Sequence, residues 1–88
     1  MRDDELHRLF VEELRKHRVT LADPDAALEA KRRALHALKG AAGLIGEPVL
    51  ADTIARLERR IREGDLTALP SAEKILEGAE QALARGPR

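Results

Sequence analysis

Of the three histidines in this 88-residue chain, only His36 sits in a pattern suited to chemistry. Lys39 follows it at i+3 and Arg32 precedes it at i−4, so on a helix both cations lie within a turn of the ring. A neutral imidazole keeps one ring nitrogen free as a nucleophile. Phosphoryl transfer needs such a nucleophile, exposed and oriented, with positive charge nearby to balance the phosphoryl oxygens. On a wheel advancing about 100° per residue, the apolar stripe around His36 centres roughly 130° away from it. The ring therefore belongs on the solvent side or at its margin, with Glu29, Arg32, Arg33, Lys39, Gly40 and Gly43 as its neighbours there.

The glycines sharpen this reading. In a helix interior each costs roughly 0.5–1 kcal/mol against alanine. Packing between helices would place small residues on the buried face, whereas Gly40 and Gly43 fall on the exposed one beside His36. A flat surface there lets a protein partner bring an acceptor group close to the ring, and Arg32 and Arg33 could help to dock it. Gly40 could instead terminate a helix, with Lys39 complementing the C-terminal dipole. Ala41, Ala42, Leu44 and Ile45 resume helical patterning directly afterwards, which disfavours that alternative.

The remaining composition removes other chemistries. Cysteine is absent, so there is neither a disulfide framework nor a thiolate metal site. The histidines have no metal-ligand spacing, and no acid–histidine–nucleophile arrangement is legible. His7 and His17 read as surface or boundary residues. Sixteen basic residues balance sixteen acidic ones, which argues against a nucleic-acid partner. Clusters such as Lys31-Arg32-Arg33 and Arg59-Arg60 are interleaved with Glu and read as mostly solvated helix faces. No apolar run approaches the ~20 residues that span a bilayer. The charged start, Met1 to Glu5, is followed by no apolar signal core, so a cytoplasmic protein is expected.

Helices must position His36. Ala and Leu dominate the apolar residues and Phe10 is the one aromatic, a composition that favours helix over sheet. The first helix is expected over about residues 4–21, capped by Asp3 or Asp4, with Leu6, Leu9, Phe10 and Leu14 recurring at helical spacing. Asp23-Pro24 reads as an N-cap followed by proline at the first helical position. It would open a second helix running towards Gly46, with Leu28, Leu35, Leu38, Ala42 and Ile45 buried. Glu47-Pro48 repeats the signal and starts a third, burying Leu50, Ile54, Leu57 and Ile61 and ending at Gly64-Asp65. A fourth starts near Thr67 and carries Leu69, Ala72, Leu76, Ala79 and Leu83 on one face; Pro70 is tolerable in its first turn. Gly86-Pro87-Arg88 should fray. The joints are short, so the expected fold is an all-α, antiparallel, up-and-down four-helix bundle forming a single domain over residues 1–88.

A hairpin turning near residue 47 sets Leu38 level with Leu57, Ala42 with Ile54 and Ile45 with Leu50. It also sets His36 level with Glu58. A carboxylate accepting from the second ring nitrogen is the usual means of orienting such a histidine, and Glu58 is the candidate. It lies roughly 70° off the apolar stripe of the third helix, on the flank corresponding to that of His36. Whether the two flanks meet depends on the handedness of the bundle.

The residues now resemble a known family. His36-Ala37-Leu38-Lys39-Gly40 is similar to the signature of histidine-containing phosphotransfer (HPt) domains: histidine, a variable residue, an aliphatic, lysine and glycine. The resemblance continues through Ala41-Ala42-Gly43-Leu44-Ile45-Gly46, Leu50, Leu57-Glu58 and Gly64-Asp65, covering residues 32 to 66. It implies a helical bundle that accepts a phosphoryl group on His36 from a histidine kinase catalytic domain and passes it to an aspartate of a response-regulator receiver domain. It also implies that Lys39 stabilises the phosphoryl group and that Gly40 belongs to the docking face. The glycine pattern and Glu58 look most like the N-terminal domain of chemotaxis histidine kinases, where a matching glutamate bonds the histidine. Ala55 stands where many members of that subgroup carry a further histidine, and the chain is short for the subgroup.

The reading is thus a phosphorelay carrier, not a self-sufficient enzyme. It has no cofactor and no metal: ATP chemistry would belong to a kinase domain and magnesium to the receiver's acidic site. It is expected to be monomeric and to have no membrane partner. The alternatives are the phosphoacceptor domain of a larger chemotaxis-type kinase and, from a different class, a purely structural adaptor bundle with His36 incidental.

Overall fold

The apolar spacing produces helices at each expected place. The computed structural model describes residues 3–85 and contains α1 (Asp3–Ala22), α2 (Leu28–Leu44), α3 (Pro48–Arg62) and α4 (Ala68–Ala84). Consecutive helices pack against each other and α4 closes back on α1; among the described residues no diagonal pair of helices brings Cα atoms within 8 Å. This is the up-and-down four-helix bundle. Its radius of gyration, 12.5 Å, is close to the ~12 Å of a compact chain of this length.

The core is built from one stripe of each helix. Phe10, Leu14 and Leu21 of α1 meet Leu35, Leu38 and Ala42 of α2, Ile54, Leu57 and Ile61 of α3, and Ala72 and Leu76 of α4. Ile45, Leu50, Leu69, Ala79 and Leu83 pack partly buried around this cluster. Two assignments need correction. Leu9 is 40% exposed, and the stripe of α1 turns through Val11 instead. Leu28 is 43% exposed at the start of α2, outside the core.

The second correction follows from where α2 begins. The Asp23 side chain accepts from the backbone N–H of Asp25 at 2.8 Å, and the N–H of Ala26 reaches the Asp23 carbonyl at 3.2 Å. Asp23-Pro24 therefore makes a turn, with Asp first and Pro second, instead of opening a helix. The helix starts four residues later, after Ala27, which offers no capping side chain. Pro48 does occupy the first turn of α3, although the Glu47 side chain makes no capping bond. The turns after α2 and α3 place Gly46 at φ 77° and Gly64 at φ 92°, a left-handed conformation that a Cβ would strain. The Asp3 side chain and the tail Gly86-Pro87-Arg88, expected to cap and to fray, lie outside the described residues.

Candidate functional site

His36 projects from the middle of α2, between the buried residues Leu35 and Leu38, and its side chain is 63% exposed. Its ring lies over the groove between α2 and α3. From the other side of that groove comes Glu58, buried to 4% exposure although its neighbour Arg59 is exposed. Nδ1 of His36 stands 3.4 Å from Oε1 and 3.3 Å from Oε2 of Glu58. An ionised carboxylate can only accept, so Nδ1 is the nitrogen that carries a proton towards it, and in the neutral ring Nε2 keeps the lone pair.

A buried carboxylate needs compensation, and Glu58 has it from three side chains. Besides His36, Nζ of Lys39 lies 3.4 Å from Oε1, and Nη1 of Arg32 donates to Oε2 at 3.0 Å. Among the described residues, no buried side-chain nitrogen or oxygen lacks a hydrogen-bond partner. Burial pushes the Glu58 carboxyl upward, but the hydrogen bond from His36 and the charges of Lys39 and His36 outweigh it. The net effect holds Glu58 below the ordinary value of 4.5. It stays ionised at neutral pH.

The structure thus brings His36, Lys39, Glu58 and Arg32 together. It places Arg32 otherwise than its sequence position suggests. The guanidinium does not stand free above the ring but is held by two carboxylates, Glu58 and Glu29, with Nε 2.9 Å and Nη2 2.6 Å from the oxygens of Glu29. Arg33 points outward and is exposed. Glu29 thus joins the site through Arg32, and its i,i+3 spacing to Arg32 is the sequence signal for it.

Gly40 and Gly43 lie inside α2 and are exposed, so Gly40 does not end the helix. A Cβ built on either would meet nothing within 4 Å. Neither glycine is therefore required by packing between helices. Ala37 and Leu44 lie exposed on the same helix, and Leu44 is 76% accessible. These residues share the exposed side of α2 with His36 and Arg33.

The other histidines are tied into the scaffold. Nε2 of His7 donates to the Leu83 carbonyl at 3.0 Å, joining the start of α1 to the end of α4. Nε2 of His17 lies 3.3 Å from Glu13 on its own helix. No helix among the described residues is long and apolar enough to cross a membrane.

Comparison with curated proteins and with solved structures yields no match. The family model of the Hpt domain matches residues 5–86, nearly the whole chain and all four helices. The four-helix bundle agrees with that match. The chain belongs to the Hpt domain family, whose members are carriers in histidine phosphotransfer during two-component signalling.

Proposed function

We propose that Nε2 of His36 accepts a phosphoryl group from a histidine kinase catalytic domain and passes it to an aspartate of a response-regulator receiver domain. The observation that carries this reading is the pairing of an exposed ring with a buried carboxylate on its Nδ1 side. The Nε2 lone pair forms the N–P bond while the bond from phosphorus to the departing ADP oxygen breaks. Nδ1 keeps its proton throughout, and the positive charge that the ring gains is balanced by Glu58. Lys39, at the edge of the groove, can turn from Glu58 towards the phosphoryl oxygens. In the second step a receiver aspartate oxygen attacks phosphorus, the N–P bond breaks, and the ring returns to neutrality.

Gly40 and Gly43 serve this reading as the surface on which both partners approach, with Arg33 at its margin. The domain works as a cytoplasmic monomer; nucleotide and magnesium arrive with the partners. The Glu58–His36 contact also favours a second reading, a phosphoacceptor domain of a chemotaxis-type kinase, with the same chemistry on His36. The two readings differ in the donor, so the rate with kinases of that type against others separates them.

The test is to incubate the purified domain with candidate histidine kinases and radiolabelled ATP. The label should be acid-labile and base-stable, as a phosphoramidate is. His36→Gln should abolish it while circular dichroism shows unchanged helix content. Labelling that persists in this variant overturns the assignment.

A further inference from the structure

Arg32 makes a different set of contacts from those of a docking cation. Its guanidinium reaches across the groove to Oε2 of the buried Glu58 at 3.0 Å, while its Nε and Nη2 grip both oxygens of Glu29 at 2.9 and 2.6 Å. Three of its nitrogens are thus committed, and the side chain is only 27% exposed. The paired contact with Glu29 fixes the plane of the fork, and the remaining nitrogen then fixes Glu58. Lysine in this place could supply the charge but not the geometry.

We propose that Arg32 is a positioning residue for phosphoryl transfer: anchored by Glu29, it holds the Glu58 carboxylate in the orientation that keeps the His36 proton on Nδ1. This rests on His36 being the phosphoacceptor. Arg32 acts one residue removed from the reacting nitrogen. A carboxylate free to rotate would direct its oxygens away from the ring for part of the time, and Nε2 would then share the proton and lose its lone pair. Glu29 is a part of the device, although it touches neither His36 nor Glu58 in the hydrogen bonds of the site.

The experiment uses a small donor, potassium phosphoramidate, so that no partner docks. Initial labelling rates and ring ¹⁵N spectra of His36 are measured for wild type, Arg32→Lys, Arg32→Met and Glu29→Gln. Arg32→Lys, which keeps the charge, should slow labelling roughly three- to tenfold, with ring nitrogen signals moving towards the tautomer protonated on Nε2. Arg32→Met should be slower still. Glu29→Gln decides between geometry and charge. Removing an acid leaves the site more positive and would speed reaction with an anionic donor if Arg32 acted by charge alone; a positioning role requires it to slow the reaction. Faster labelling in Glu29→Gln, or wild-type rates and spectra in Arg32→Lys, overturns the proposal. If the wild type itself takes no label from phosphoramidate or kinase, the phosphoacceptor reading fails. The ring spectra, which need no transfer, still report whether Arg32 sets the tautomer.

Discussion

Both carboxylate oxygens of Glu58, on α3, lie within 3.4 Å of Nδ1 of His36, on α2, yet Glu58 is 4% exposed and the His36 side chain 63%. The pair joins the inside of the bundle to its surface. The carboxylate is shielded from water, which strengthens the action of its charge, while Nε2, the nitrogen proposed to accept the phosphoryl group, remains open.

Glu58→Gln removes the charge but keeps the size and one accepting oxygen. Phosphorylation of His36 should slow by roughly tenfold, the equivalent of about 1.4 kcal/mol in the transition state, without complete loss. Initial labelling rates against the wild type measure this. Unchanged rates would reduce Glu58 to a purely structural anion.

The same carboxylate should shape stability in acid. Its folded value lies below 4.5 because the His36 hydrogen bond and the Lys39 and His36 charges outweigh burial. A carboxyl depressed by folding stabilises the protein at pH above its unfolded value, and that contribution disappears as pH falls through the folded value. The wild type should therefore lose urea resistance below about pH 4.5, and Glu58→Gln should show a shallower loss. Some slope should persist in the variant. Glu80, held down chiefly by its hydrogen bond from Arg15, and Asp65, held down chiefly by Thr67, titrate in the same direction. Urea midpoints measured from neutral pH downward give the comparison.

Gly40→Gln and Gly43→Gln should each fold and gain up to about 0.5 kcal/mol of stability, since glutamine is the better helix former and the new side chain meets open space. Transfer to a receiver should slow while labelling by phosphoramidate is unaffected. Thermal unfolding together with both rates checks this, and wild-type exchange with a receiver in both variants would remove the docking role.

Leu38, two residues from His36, is fully buried. Leu38→Ala should cost about 2–5 kcal/mol through lost burial and the cavity left behind. That is a large part of the total stability of a domain this size, on the order of 4–13 kcal/mol. Urea denaturation should show the midpoint falling sharply.

Much of this arrangement is legible in the chain alone. The spacing of Leu35, Leu38 and Ala42, and of Ile54, Leu57 and Ile61, sets the period and the buried face of α2 and α3, because side-chain direction on a helix follows from residue number. Short joints then impose antiparallel order, and His36, Gly40 and Gly43 must share the outer face. The start of α2 is not legible in the sequence, because Asp followed by Pro satisfies a helix start and a turn equally well. The choice fell to the bond from Asp25 to the Asp23 side chain. Glu58 and Arg32 mark the other boundary. Residue numbers set the height of Glu58 opposite His36 and its angle on α3, but not which groove that angle faces. The packing of four helices decided that, burying one glutamate beside an exposed arginine of the same helix and drawing Arg32 across to it. Periodicity describes a helix about its own axis; the meeting of two flanks depends on the handedness with which the axes are arranged, a property that no single helix possesses.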